Sequence, residues 1–194
     1  RTKDSWKDEV SRPKQLKHGF KRRPYNFMFP STHDITPEHL DECMSFLSRI
    51  LKPGNKVLVV SKPHLDCIKA ICNELRQYRK QILFRFTIGS ADNNTLQFWD
   101  VNAPGFEERM ESLRYACWAG YSTSISCEPM LDAHTDELIR QLRPYVSNSI
   151  WLGKGNRLIS RLEKNGHGDQ DTIQRAEKLI EDLSDEYIHD LYGR

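Results

Sequence analysis

From residue 25 onward, short apolar runs alternate with stretches in which apolar residues return every three or four positions. The first run, 25–29, predicts a strand. Leu40, Met44, Leu47 and Ile50 then follow at helical spacing, with Thr36 placed as the N-cap and Pro37 as the first helical residue. Pro53, Gly54 and Asn55 stop that helix. Residues 56–60 predict a second strand, and its last four are continuously apolar, as in a sheet covered on both faces. Leu65, Ile68, Ile71 and Leu75 mark one side of a helix over 64–78.

A third strand is predicted over 82–88, followed by a polar loop and a short helical segment near 96–99. Pro104 and Phe106 open the next helix, with Met110, Leu113, Cys117 and Trp118 read as its inner side and Gly120 as its end. Residues 122–126 form a fourth strand, 136–142 a helix, and 149–152 a fifth strand with Trp151 assigned to the core. A last helix, 171–183, turns Ile173, Ala176, Leu179, Ile180 and Leu183 inward. Five βα units at this spacing predict an α/β fold with a parallel sheet and helical crossovers. A barrel-like curl and an open doubly wound sheet both fit the period, and both place function at the C-terminal ends of the strands.

Composition changes this picture little. Of the 194 residues, 38% are hydrophobic and 29% charged, an ordinary balance for a packed domain. No apolar run is long enough to span a bilayer and no leading segment reads as a secretory signal, so the expectation is a cytoplasmic protein without a membrane partner. Charge is informative through its distribution. Residues 1–23 carry nine Lys/Arg against three Asp/Glu, while the whole chain is only +2. Residues 1–24 are therefore read as a basic arm or linker ahead of a domain at 25–194. Such an arm is suited to a phosphate backbone, which makes a nucleic acid a candidate partner. Five cysteines give no ligand spacing: Cys67 and Cys72, the only close pair, diverge on one helix.

The chemistry gathers at the predicted strand ends. These offer Ser31, Thr32, His33 and Asp34; Ser61 and Lys62; Thr87, Ser90 and Asp92; Glu128; then Lys154 and Asn156. Arg85 lies inside the third strand and needs a partner or a cavity; Glu128 and Asp34 are the carboxylates considered for it. The set mixes ammonium, carboxylate and hydroxyl groups. It suits a zwitterionic ligand bearing a polar sugar, because Lys pairs with a carboxylate while Asp or Glu receives an ammonium or ribose hydroxyls. No dinucleotide fingerprint, phosphate loop, zinc-helix motif or nucleophile elbow occurs, and the neighbours Ser31, His33 and Asp34 do not make a catalytic triad. No residue is assigned a catalytic or metal-binding role.

Six segments, FMFPSTHDITPEHL, VLVVSKP, ILFRFTIGSAD, FEERMESLRYACWAGY, TSISCEPMLD and SIWLGKGN, together resemble the radical S-adenosylmethionine (SAM) superfamily, in its spore photoproduct lyase-like group. The resemblance implies a partial, TIM-like (β/α) barrel, radical SAM in type, with its first unit missing. It implies SAM as cofactor, and a [4Fe–4S] cluster in a full-length parent. It places Ser31, Thr32 and Asp34 near the SAM amino group, and Lys62 at the SAM carboxylate. Thr87 and Ser90 would lie near SAM, Glu128 beside ribose or substrate, and Lys154 and Asn156 at the adenine end; Arg85 joins this cofactor-binding set. The CxxxCxxC loop that ligates the cluster in the family is absent from this chain. The expectation is a portion of a larger enzyme that generates a 5′-deoxyadenosyl radical for hydrogen abstraction, inactive without the cysteine loop. A non-catalytic nucleic-acid-binding module using the basic arm is the alternative. Loss of the first unit would leave a bare strand edge, which self-association or residues 1–24 would cover.

Overall fold

A computed structural model describes residues 19–193 of the chain. Five strands form one all-parallel sheet: β1 (Phe27–Phe29), β2 (Val57–Ser61), β3 (Ile82–Thr87), β4 (Ser122–Cys127) and β5 (Ile150–Leu152). Their spatial order is their sequence order, with no reversal. A doubly wound sheet needs a reversal, so of the two architectures considered this one is singly wound. Right-handed crossovers in an unreversed order bring every connecting helix to the same face.

The connections are α1 (Leu40–Leu51), α2 (Leu65–Glu74), α3 (Asn93–Trp99), α4 (Phe106–Trp118) and α5 (Thr135–Leu142). Three further helices follow β5: α6 (Leu158–Lys164), α7 (Gln170–Asp182) and α8 (Asp185–Gly193). The entry to α1 is a 3-10 turn over Pro37–His39, and Thr36 makes no side-chain capping bond to it. Two helices of this C-terminal group, α6 and α8, were not foreseen.

Burial alternates along the strands. On β2 and β3, Val57, Val59 and Ser61 and then Ile82, Phe84 and Phe86 are buried, while the residues between them are half-buried. The register aligns Val59 with Phe84 and Phe84 with Thr123, so the buried set lies on one face. Helix α1 packs on β2, α4 packs on β3 and β4, and α2 packs on α4. Phe84 meets Phe86 and Tyr121 at ring distances of 5.3 Å, and the Tyr121 hydroxyl donates to the Cys72 carbonyl at 2.9 Å.

The other face corrects the expectation of a sheet covered on both sides. Met28, Leu58 and Leu83 run across it, as do Val60, Arg85 and Ser124, then Thr87, Ser126 and Trp151. Exposure rises toward its two edges, reaching 57% at Met28 and 47% at Trp151. Leu58 and Val60 are apolar yet only half-buried; apolarity on both faces did not mean cover on both. Trp118 and Ile180, expected inside, are likewise exposed.

Residues 1–18 of the basic arm lie outside the described residues. Phe20 packs edge-on against Phe27 and Phe46, on the α1 side of β1. No described strand pairs with the outer side of β1. Among the described residues, no helix is long and apolar enough to cross a membrane.

Candidate functional site

The loops after β1 and β2 and the turn between α3 and α4 enclose a cleft of about 250 Å³. Asp34, Lys62, His64 and Asp100 line it, with Thr36 at the rim and Trp99–Pro104 as one wall. Asp34, Lys62, His64 and Asp100 are each held by a specific contact. Asp34 Oδ1 accepts the backbone N–H of Lys62 at 2.7 Å and the Ser61 hydroxyl at 3.2 Å. Ser61 Oγ accepts in turn from the Ile35 N–H at 3.0 Å. The loop after β1 is thus pinned to the end of β2 through one carboxylate and one hydroxyl.

Opposite charges then alternate inward. Lys62 Nζ lies 3.5 Å from Asp34 and 3.7 Å from Asp100. Asp100 Oδ2 accepts from Arg109 at 3.0 Å. Arg109 is fully buried; it also donates to the Pro104 carbonyl at 2.7 Å and to the Thr87 carbonyl at 3.1 Å. One guanidinium therefore fastens the α3–α4 turn to the end of β3. Its remaining nitrogen is buried and finds no partner. Beside this chain, Glu108 accepts the Leu65 N–H at 3.0 Å, capping α2 from a neighbouring helix, and lies 3.7 Å from His64 Nδ1.

A second polar group lies on the open face. Arg85 Nε donates to Ser124 Oγ at 3.2 Å, and its guanidinium stacks 4.6 Å from the Trp151 ring centre. Ser124 and Ser149 exchange a hydroxyl contact at 3.1 Å, and Trp151 Nε1 donates to Ser149 Oγ at 3.0 Å. Burial lowers the Arg85 pKa, and the Glu128 carboxylate partly offsets that. No ion pair joins Arg85 to Glu128 or Asp34 among the described residues; the partner is an aromatic face. Glu128 accepts from Ser126 at 3.4 Å and lies across Gly153, where an added Cβ would meet its Oε1 at 2.8 Å.

The sequence-chosen residues therefore divide. Asp34 and Lys62 line the cleft, and the buried Ser61 donates to Asp34. Arg85 and Glu128 belong to the open face, and Thr87 lies in its register row. Ser90 and Asp92 serve local structure: Ser90 Oγ accepts the Asp92 N–H at 2.9 Å, and Asp92 caps α3 through the Thr95 N–H at 2.7 Å. Those bonds to Thr95 hold the Asp92 carboxyl below its ordinary range. Lys154 pairs with Asp185 at the start of α8. Ser31, Thr32, His33 and Asn156 are exposed at loop surfaces. Asp100, Arg109, Glu108 and His64 were missed. A signal existed for Arg109: Phe106, Arg109, Leu113 and Ala116 form the buried side of α4, one step from the stripe inferred through Met110.

The residues can be tested against the two groups the resemblance implies. An iron–sulfur cluster does not fit. Among the described residues no three His, Cys, Asp or Glu side chains gather to hold a metal. Burial pushes the thiols of Cys67, Cys72 and Cys127 up to about 11, 12 and 12, so they stay protonated rather than acting as thiolate ligands. A zwitterion does fit the cleft. Lys62 Nζ stands beyond ordinary hydrogen-bond length from both carboxylates, so its donors remain available. No protein-family model matches this chain, and neither a curated protein nor a solved structure is similar enough to indicate kinship.

Proposed function

We propose that this chain is the SAM-binding part of a radical SAM-type enzyme with a partial (β/α) barrel. The observation that carries the reading is the Lys62 ammonium held loosely between Asp34 and Asp100 at the mouth of a cleft. Lys62 takes the ligand's carboxylate, and the two aspartates take its ammonium. The unreversed parallel strand order supports the reading, since it is the order of a singly wound barrel segment. Arg85, Thr87 and Glu128, along the open face, are the groups left to meet the sugar or a substrate.

In a parent that held a reduced cluster, bound SAM would be the source of the radical hydrogen abstraction that the resemblance implies. The residues here contribute ligand recognition; the three cluster cysteines would come from outside these 194 residues. Asp34 orients Lys62 through its backbone N–H, and Arg109 orients Asp100. Calorimetric titration of the folded chain with SAM tests this. The expected result is saturable binding that Lys62→Met weakens by about tenfold or more, near 1.4 kcal/mol. Absence of binding, or equal binding by Lys62→Met, would overturn it.

A further inference from the structure

At the opposite end of the sheet the loops themselves hold no carboxylate, and the exposed Glu74, the last residue of α2, adjoins one of them. Residues 19–26, 52–56, 75–81, 118–121 and 143–149, which lead into the five strands, contain no Asp or Glu. They carry nine Lys or Arg, all exposed. Lys21, Arg22 and Arg23 precede β1, and Lys52 and Lys56 precede β2. Arg76, Arg79 and Lys80 precede β3, and Arg143 stands between α5 and β5. None of the nine forms an ion pair among the described residues. Seven cations elsewhere, from Lys62 to Lys178, do.

Part-buried polar contacts hold these loops side by side. The Arg23 N–H donates to Asn55 Oδ1 at 2.7 Å, and Asn55 Nδ2 donates to the Lys21 carbonyl at 3.2 Å. Gln81 Nε2 reaches the Leu51 and Asn55 carbonyls at 2.9 and 2.8 Å. Arg79 and Arg76 lie close enough to Tyr121 to favour its charged form, against the larger effect of burial. Thr123 Oγ1 donates to the Tyr145 carbonyl at 2.6 Å. The cations thus sit on a fixed rim rather than on independent tails.

Five adjacent strands at about 4.8 Å spacing make this rim about 20 Å long. Nine charges over that length give about one per 2 Å, close to the one per ~1.7 Å of a nucleic-acid duplex axis. Helix dipoles favour cations at helix C-termini and account for a preference at Lys52 or Arg143. They do not account for Lys21–Arg23 or Lys56, which precede strands, nor for the exclusion of acids from all five loops. Tyr25 and Trp118, 57% and 66% exposed, are interleaved with the cations. Arg114 stacks 4.8 Å from the Trp118 ring centre, so that ring is no bare apolar wedge for a lipid surface.

We propose that this rim, at the N-terminal ends of the strands and opposite the cleft, binds the phosphate backbone of a nucleic acid. The inference is independent of the SAM reading and uses none of the cleft residues. The contact then lies on the folded rim, to which the basic arm contributes Lys21, Arg22 and Arg23. Five of the nine cations are arginine, whose planar fork matches phosphate oxygens. A protein partner would be met by both signs of charge; a single sign fits a uniform polyanion.

The test uses the whole chain, fluorescent duplex and single-stranded DNA, and phosphatidylserine vesicles. It compares wild type with the triple variant Arg76→Gln, Arg79→Gln, Lys80→Gln. A second variant, Arg175→Gln with Lys178→Gln, removes two cations of α7, away from the rim. Binding to DNA is expected at about 50 mM salt and should fall steeply by about 200 mM. The triple variant should bind at least about tenfold more weakly, with a duplex salt slope shallower by about 2–3. The double variant should leave binding at wild-type strength. Whichever DNA form binds tighter identifies the source of the backbone. The proposal is overturned if neither DNA binds at low salt. It is also overturned if the triple variant keeps wild-type affinity, which would assign binding to residues outside the rim, or if vesicles bind more tightly than either DNA.

Discussion

The two ends of the sheet treat charge in opposite ways. At the C-terminal ends, Asp34, Lys62, Asp100 and Arg109 alternate in sign and descend from half-exposed to fully buried. At the N-terminal ends, cations stand in water without an ion-pair partner among the described residues, and the loops that carry them hold no carboxylate. Charge that is buried and paired costs stability when one partner is removed, because the other is stranded in a low-dielectric setting. Charge that is exposed and of one sign contributes little to stability and is available to a partner. The upper network therefore builds a cleft, and the lower rim presents a field.

The sharpest break of this comparison is Arg109→Met. It strands Asp100 and frees the Thr87 and Pro104 carbonyls, so a loss of about 3–5 kcal/mol is expected in denaturant unfolding. A loss under about 1 kcal/mol would mean that the α3–α4 turn does not depend on it. Gly153→Ala comes next. Its Cβ would meet Glu128 Oε1 at 2.8 Å, so the carboxylate must move. About 1–3 kcal/mol is expected, and Glu128→Ala in the same chain should recover part of it. The rim triple variant should change stability by only about 0.5 kcal/mol in either direction while weakening DNA binding. A large destabilisation there would show that rim cations are structural after all.

A pH dependence separates the core from both ends. Cys72 and Cys127 rise from an ordinary 9.0 to about 12 because burial disfavours the thiolate. The unfolded chain releases these protons above pH 9, whereas the folded chain keeps them until about 12. Their contribution is therefore full below pH 9 and is lost as pH rises toward 12. Cys72→Ala with Cys127→Ala should flatten the fall in melting temperature across that window. An unchanged alkaline slope would locate the dependence elsewhere.

Much of the scaffold was legible in the sequence. Five βα units follow from apolar periodicity, because strands and helices repeat on different periods and each exposes it locally. Strand order was not legible, since the period is the same whether the sheet reverses or not. Nor was the cover of the second face: Leu58 and Val60 look core-like but face a side that no connecting helix reaches. Of the site, the motif around Lys62 stood out because a lysine at a strand end is conspicuous. Arg109 did not, because a buried cation on an apolar helical stripe reads as a surface residue until its carbonyl and carboxylate partners are placed. The local bonds of Ser90 and Asp92 were not legible either: a hydroxyl or carboxylate just before a helix often satisfies the backbone. The ion pair of Lys154 was hidden as well, since its partner Asp185 lies on a helix that the pattern did not predict.

The central claim is that the cleft around Lys62 receives SAM. Mapping amide chemical-shift changes on titration with SAM tests it most directly. Changes are expected at Asp34–Thr36, Ser61–His64 and Trp99–Asn102, absent in Lys62→Met, with the rim loops silent. Changes confined to the rim or to α7 and α8, or none with the protein folded, would contradict it.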